Sequence, residues 1–107
     1  MRIIYIAYPF GGEQENVEKV ENVIKGLLHK HKGLLHKHPD CTFYSPLHAT
    51  GFFYDQLPYL EGLIHCFEAL SRRDELWIAG DWRNSRGCNM EHGFAEAKGI
   101  PIKVINN

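Results

Sequence analysis

The residues most able to do chemistry sit in Ser85-Arg86-Gly87-Cys88-Asn89-Met90-Glu91. Behind this glycine-bearing turn, the spacing predicts a helix with Glu91 in its first turns. A helix N-terminus offers unpaired backbone N–H groups and a partial positive charge, which together favour an anion. Ser85–Asn89 is therefore a candidate anion cradle, with Ser85 adding a hydroxyl and Gly87 allowing close backbone approach; a phosphate fits such a cradle. Held at the same place, the Glu91 carboxylate could act as a nucleophile or a base. In an arbitrary helix the same acid would only stabilise the dipole. Cys88 sits where a thiol pKa can fall, but no histidine and acid partner is evident to make it a nucleophile.

The remaining candidates lie in the segments between apolar runs. Tyr8-Pro9-Phe10-Gly11 closes the first run, His48 lies in Ser45–Gly51, and Trp82 lies in Gly80–Gly87. Phe10 and Trp82 are candidates to stack on a flat base, and His48 to touch a ligand, whereas Trp77 is expected in the core. Tyr8–Gln14 lacks the GxGxxG spacing, which disfavours a dinucleotide site.

The elements that must position these residues follow from the apolar pattern. Arg2–Tyr8 is a continuous β-branched and aromatic run, the mark of a strand buried on both faces. From Glu13, apolar residues recur at Val17, Val20, Val23, Ile24, Leu27 and Leu28, the spacing of a helix with one buried stripe. Cys41–Leu47 reads as a short strand stopped by Pro46. Asp55–Arg73 reads as a helix with Pro58 near its start, and Glu75–Gly80 as a third strand. Cys88–Gly99 reads as a helix closed by its glycine, and Pro101–Ile105 as a final strand. The order βαβαβαβ predicts an α/β three-layer sandwich, Rossmann-like or flavodoxin-like, with a four- to five-stranded parallel sheet. In such sheets ligands bind at the carboxyl ends of the strands, where the strand order reverses, and each unusual loop falls at that edge.

A further feature belongs to no element. Lys25–His31 and Lys32–His38 are identical heptads in tandem. Seven residues advance a helix by about two turns, so the second copy lengthens it by roughly 10 Å with its stripe nearly in phase. The pairs His29/His31 and His36/His38 have i,i+2 spacing, which points side chains to different sides of a helix, so a metal site is not expected. The segment reads as a dispensable duplication: a chain lacking Lys32–His38 is expected to keep its fold and assembly.

At 107 residues with a formal charge of −1, the chain fits one domain spanning 1–107 and carries no electrostatic footprint for a nucleic-acid polymer or a membrane surface. The first apolar run is too short for a signal peptide, and Cys41, Cys66 and Cys88 have neither disulfide-framework nor zinc-knuckle spacing. These features predict a cytoplasmic protein with reduced thiols and a small-molecule partner.

Ile4–Gly12, together with Asp74–Ile102, resembles the nucleoside 2-deoxyribosyltransferase-like superfamily, and most closely a small branch carrying a GW..S.G…E pattern. The likeness covers both ends of the chain and is weak in the middle. It implies that Glu91 is the nucleophile, that Tyr5 positions its carboxylate, and that Ser85 holds a 5′-phosphate. It implies no metal or redox cofactor, a nucleoside or nucleotide substrate, and a homodimer or larger assembly. The catalytic aspartate of active relatives corresponds to Cys66, eight residues before Asp74, and the resemblance does not extend to their C-terminal segment that reaches a neighbouring subunit's site, so part of the usual pocket is expected to differ. Three functions follow as expectations. The first is an N-glycoside hydrolase or deoxyribosyltransferase; the second is a catalytically weak nucleotide-binding protein; the third is a structural or interaction module that retains the fold.

Overall fold

The computed structural model describes residues 1–30 and 41–105. Its centre is a four-stranded, all-parallel sheet in the order β2-β1-β3-β4, formed by β1 (Arg2–Ala7), β2 (Cys41–Tyr44), β3 (Glu75–Ile78) and β4 (Ile102–Val104). The fold is thus the expected α/β sandwich. The helices are α1 (Gln14–Lys30), α2 (Pro46–Ala49), α3 (Tyr59–Ser71) and α4 (Arg86–Lys98), with 3-10 turns at Gly51–Gln56 and Trp82–Asn84.

Alternation along β1 divides the core in two. Ile4 and Ile6 point to one face and pack with Val20, Val23 and Leu27 of α1 and with Trp77. Tyr5 and Ala7 point to the other and join Leu76, Ile78, Leu70 of α3 and Cys88 and Ala95 of α4. This is the period-2 geometry of a strand covered on both sides by helices. Each fully buried Ile or Leu contributes about 1.5–3 kcal/mol, so the two clusters fix both the register and the helix positions.

The ends of α4 explain its length. Ser85 is its N-cap, its side chain accepting from the Cys88 N–H at 3.3 Å. Gly99 ends it in the left-handed region at φ 73, and Ile100 N–H closes back on the Ala95 carbonyl at 2.9 Å. The helix therefore begins at Arg86, two residues before the start read from the sequence, and Glu91 lies in its second turn.

The segment after β2 departs from expectation. Pro46 does stop the strand, but it also opens α2, and the 3-10 turn follows at once. Proline suits both roles: it lacks the N–H a ladder needs, and its fixed φ suits a first helical turn. In the duplicated heptads, Lys25–Lys30 belong to α1 and His29 is exposed, while His31, His36, His38 and the whole second copy lie outside the described residues.

Candidate active site

The strand order reverses between β1 and β3, and the carboxyl ends of the strands open there into a cavity of about 550 Å³. Its walls come from Tyr8, Phe10 and Gly11 after β1, from residues between Pro46 and Leu57 after β2, from one side of α3, and from residues of the first turns of α4 with Ser85 before them.

At the closed end lies Glu91, only 6 % exposed. The wholly buried Tyr5 of β1 donates its hydroxyl proton to Glu91 Oε2. Burial pushes the Glu91 carboxyl up from an ordinary 4.5 to about 7, with the Tyr5 hydrogen bond opposing that rise. Burial also holds the Tyr5 hydroxyl well above its ordinary range, and the adjacent Glu91 charge adds to the effect. The carboxyl is thus divided between acid and carboxylate near neutrality, a condition suited to a nucleophile or a base.

Two thiols flank the acid. Cys66 of α3 lines the cavity beside Glu91, close to the Tyr5 and Thr50 hydroxyls; burial and the Glu91 charge push its thiol up to about 11. Cys88 is pushed up to about 12, again by burial first and the Glu91 charge second. The lowered pKa that a helix N-terminus can give a thiol is therefore reversed here, because α4 buries Cys88 in the core.

The outer part of the cavity has a cation and aromatic walls. Arg86, the first residue of α4, places its guanidinium 4.1 Å from the Tyr59 ring centroid. Phe10 packs edge-on against Tyr54 with centroids 4.9 Å apart, and Phe53 packs in the same way on His65. Gly87 lets α4 approach this wall, since a Cβ there would lie 3.1 Å from the Tyr59 hydroxyl.

Of the residues named from the sequence, Tyr8, Phe10, Gly11, Cys66, Ser85, Gly87, Cys88 and Glu91 line the cavity, and Tyr5 supports it from behind. Pro9, His48, Trp82 and Asn89 do not line it. The Trp82 indole is buried and stacked on His92, centroids 5.0 Å apart, so it belongs to the helix packing rather than to a base platform. The His48 ring bonds Ser45 at 2.8 Å and Glu21 at 3.1 Å. The Asn89 amide donates to the carbonyls of Trp82, Arg83 and Ser85, holding the turn that enters α4. Residues not singled out in the sequence also line the wall, among them Thr50, Phe53, Tyr54, Asp55, Tyr59 and Arg86. For Arg86 the signal was present, since it lies inside the cradle itself. Among the described residues no three His, Cys, Asp or Glu side chains converge to hold a metal ion. Nor is any helix among them long and apolar enough to cross a membrane.

Fold and site together define an α/β protein with a tyrosine-held, buried carboxyl group at the base of a cavity on the sheet edge. The family model for a domain of unknown function, DUF4406, matches residues 2–104, and the chain belongs to that family. Among curated proteins none matches it.

Proposed function

We propose that this chain is a nucleoside 2-deoxyribosyltransferase-like enzyme, an N-glycoside hydrolase or deoxyribosyltransferase acting on a nucleoside or nucleoside monophosphate. The observation that favours this reading is the pairing of Tyr5 with Glu91 at the closed end of the cavity. The ionised Glu91 oxygen attacks the anomeric carbon, the C–N bond breaks, and its electron pair leaves with the base. A glycosyl ester on Glu91 remains, and water or a second base takes up the sugar. The Ser85 hydroxyl, the first N–H groups of α4 and Arg86 suit a 5′-phosphate, and the walls at Phe10, Phe53 and Tyr59 suit a base. Because Glu91 ionises near pH 7, formation of the ester accelerates as pH rises through neutrality.

One observation favours a second reading, a nucleotide-binding protein with little turnover. At the position of the relatives' aspartate stands Cys66, whose thiol keeps its proton up to about 11 and so brings no carboxylate to that side of the cavity. Both readings are tested by incubating the protein with 2′-deoxynucleosides and their 5′-monophosphates, measuring released base by chromatography and binding by calorimetry. Cys66→Asp is expected to raise base release by on the order of 10² to 10⁴, and Glu91→Ala in that background to abolish it. Binding without release in every form selects the second reading. Neither binding nor release leaves only a structural or interaction module.

The same reading includes a homodimer or larger assembly in the cytoplasm, consistent with three free cysteines and with an apolar strip on α3 where Leu60 and Ile64 are 61 % and 54 % exposed. Light scattering at micromolar concentration tests the assembly, and a monomer refutes it.

A further inference from the structure

A glycosyl ester on Glu91 must be opened again, and the buried acid cannot do this alone. Water has to reach the anomeric carbon from the side the base has left, away from Glu91, and must lose a proton as it attacks. Glu91 is buried, whereas the Gly51–Gln56 turn, which also lines the cavity, contributes no buried residue and so is the part of the wall nearest to solvent. Among the described residues, the side chains lining the cavity include two carboxylates: Glu91, and Asp55 on that turn. Asp55 is exposed, and among the described residues it forms no ion pair, so its oxygens are available to incoming water. It stands against the loop after β1, its Oδ1 3.6 Å from where a Cβ on Gly12 would be.

The other lining groups are poor proton acceptors. Arg86 is a cation, Tyr8, Tyr54 and Tyr59 are phenols, and Ser85 and Thr50 are neutral hydroxyls. Cys66 and Cys88 are held as thiols, up to about 11 and about 12.

We infer that Asp55, on the exposed turn that lines the cavity, is the general base of the second half-reaction, with Glu91 the nucleophile. The inference rests on the glycosidase reading above. The water oxygen bonds to the anomeric carbon while its proton passes to the Asp55 carboxylate. The bond from that carbon to Glu91 breaks, and its electron pair returns to Glu91. Asp55 then releases the proton to solvent.

The test uses the full chain and its Cys66→Asp form, each with and without Asp55→Asn, on 2′-deoxynucleosides and their 5′-monophosphates. In the Asp55→Asn forms, rapid-quench measurements should show the first equivalent of base released at a rate close to that of the parent. Steady-state turnover should fall by on the order of 10² to 10⁴. Mass spectrometry of the peptide containing Glu91 should then show the trapped sugar, and azide, which needs no deprotonation, should restore turnover in Asp55→Ala and yield the glycosyl azide. A steady-state rate equal to the parent's, with the burst intact, overturns the role of Asp55 and leaves Glu91 as nucleophile. Equal loss of the burst and the steady state also overturns it, because Asp55 would then act in the first step. If no form shows a burst dependent on Glu91, the glycosidase reading itself fails and this inference with it.

Discussion

Replacing Glu91 by glutamine should stabilise the protein at neutral and alkaline pH and leave it nearly unchanged in acid. The carboxyl titrates near 7 in the folded chain, because it is buried, against an ordinary 4.5 when the chain is unfolded. The folded state therefore retains a proton through a window in which the unfolded chain has lost it. Stability from this group is fully present below pH 4.5, declines as pH rises, and reaches its floor above about 7. A gap of about 2.5 pH units corresponds to about 3 kcal/mol at roughly 1.36 kcal/mol per unit. Glutamine has the shape of the protonated acid, can still pair with the Tyr5 hydroxyl, and never ionises. The measurement is urea unfolding of both proteins at pH 4, 5, 6, 7 and 8, with free energies obtained by linear extrapolation. The difference should be small at pH 4 and grow to about 3 kcal/mol in favour of Glu91→Gln by pH 8. Taking the difference cancels every other titrating group. A difference that stays flat across this range would show that Glu91 ionises as an exposed acid does, and the argument from its burial would be wrong.

Tyr5→Phe removes the donor that opposes the rise in the Glu91 pKa, so the carboxyl should titrate above 7 in that variant; carbon-13 NMR of labelled glutamate gives the value, and a lower pKa than in the parent would contradict the hydrogen bond. Gly80→Ala should destabilise by more than about 1 kcal/mol, because the residue has φ +70 and the new Cβ would lie 2.8 Å from the Tyr8 ring. Denaturant unfolding measures that loss, and because Tyr8 lines the cavity, ligand affinity should fall with it.

The frame was legible because it rests on local pattern. The unbroken apolar run of β1, the helical spacing of α1 and α3, and the glycine closing α4 each specify an element without reference to the rest of the chain. The site was legible only in part. Glu91 drew notice as an acid behind a cradle, but nothing local ties it to Tyr5, 86 positions away, and that pairing came through resemblance. Trp82 misled because an aromatic residue in a loop can stack on a ligand or on its own helix, and its neighbour His92 becomes visible only when α4 folds back beside it. His48 misled for the same reason, its partners being Ser45 three residues away and Glu21 on another element. Asp55 and Tyr59 carry no local signal of a site, because the apolar spacing that follows places them at the beginning of a helix. Helix geometry in fact starts at Tyr59, and residues of the turn before it line the cavity.

β1 lies between β2 and β3, and Tyr5 is in register with Tyr44 on one side and Leu76 on the other. The Gly51–Gln56 turn, by contrast, contributes no buried residue, and its Phe52 is 85 % exposed. Mutational tolerance is therefore distributed unevenly around one cavity. The wall behind the buried acid admits little change without damage to the whole sheet, whereas the wall formed by the turn can vary while the melting temperature holds. Within such a family, ligand preference can diversify through the turn while the acid and its tyrosine stay fixed. A library randomised at Phe53 and Tyr54, which line the cavity, is the direct route to chains that share the buried pair and differ in what the cavity accepts.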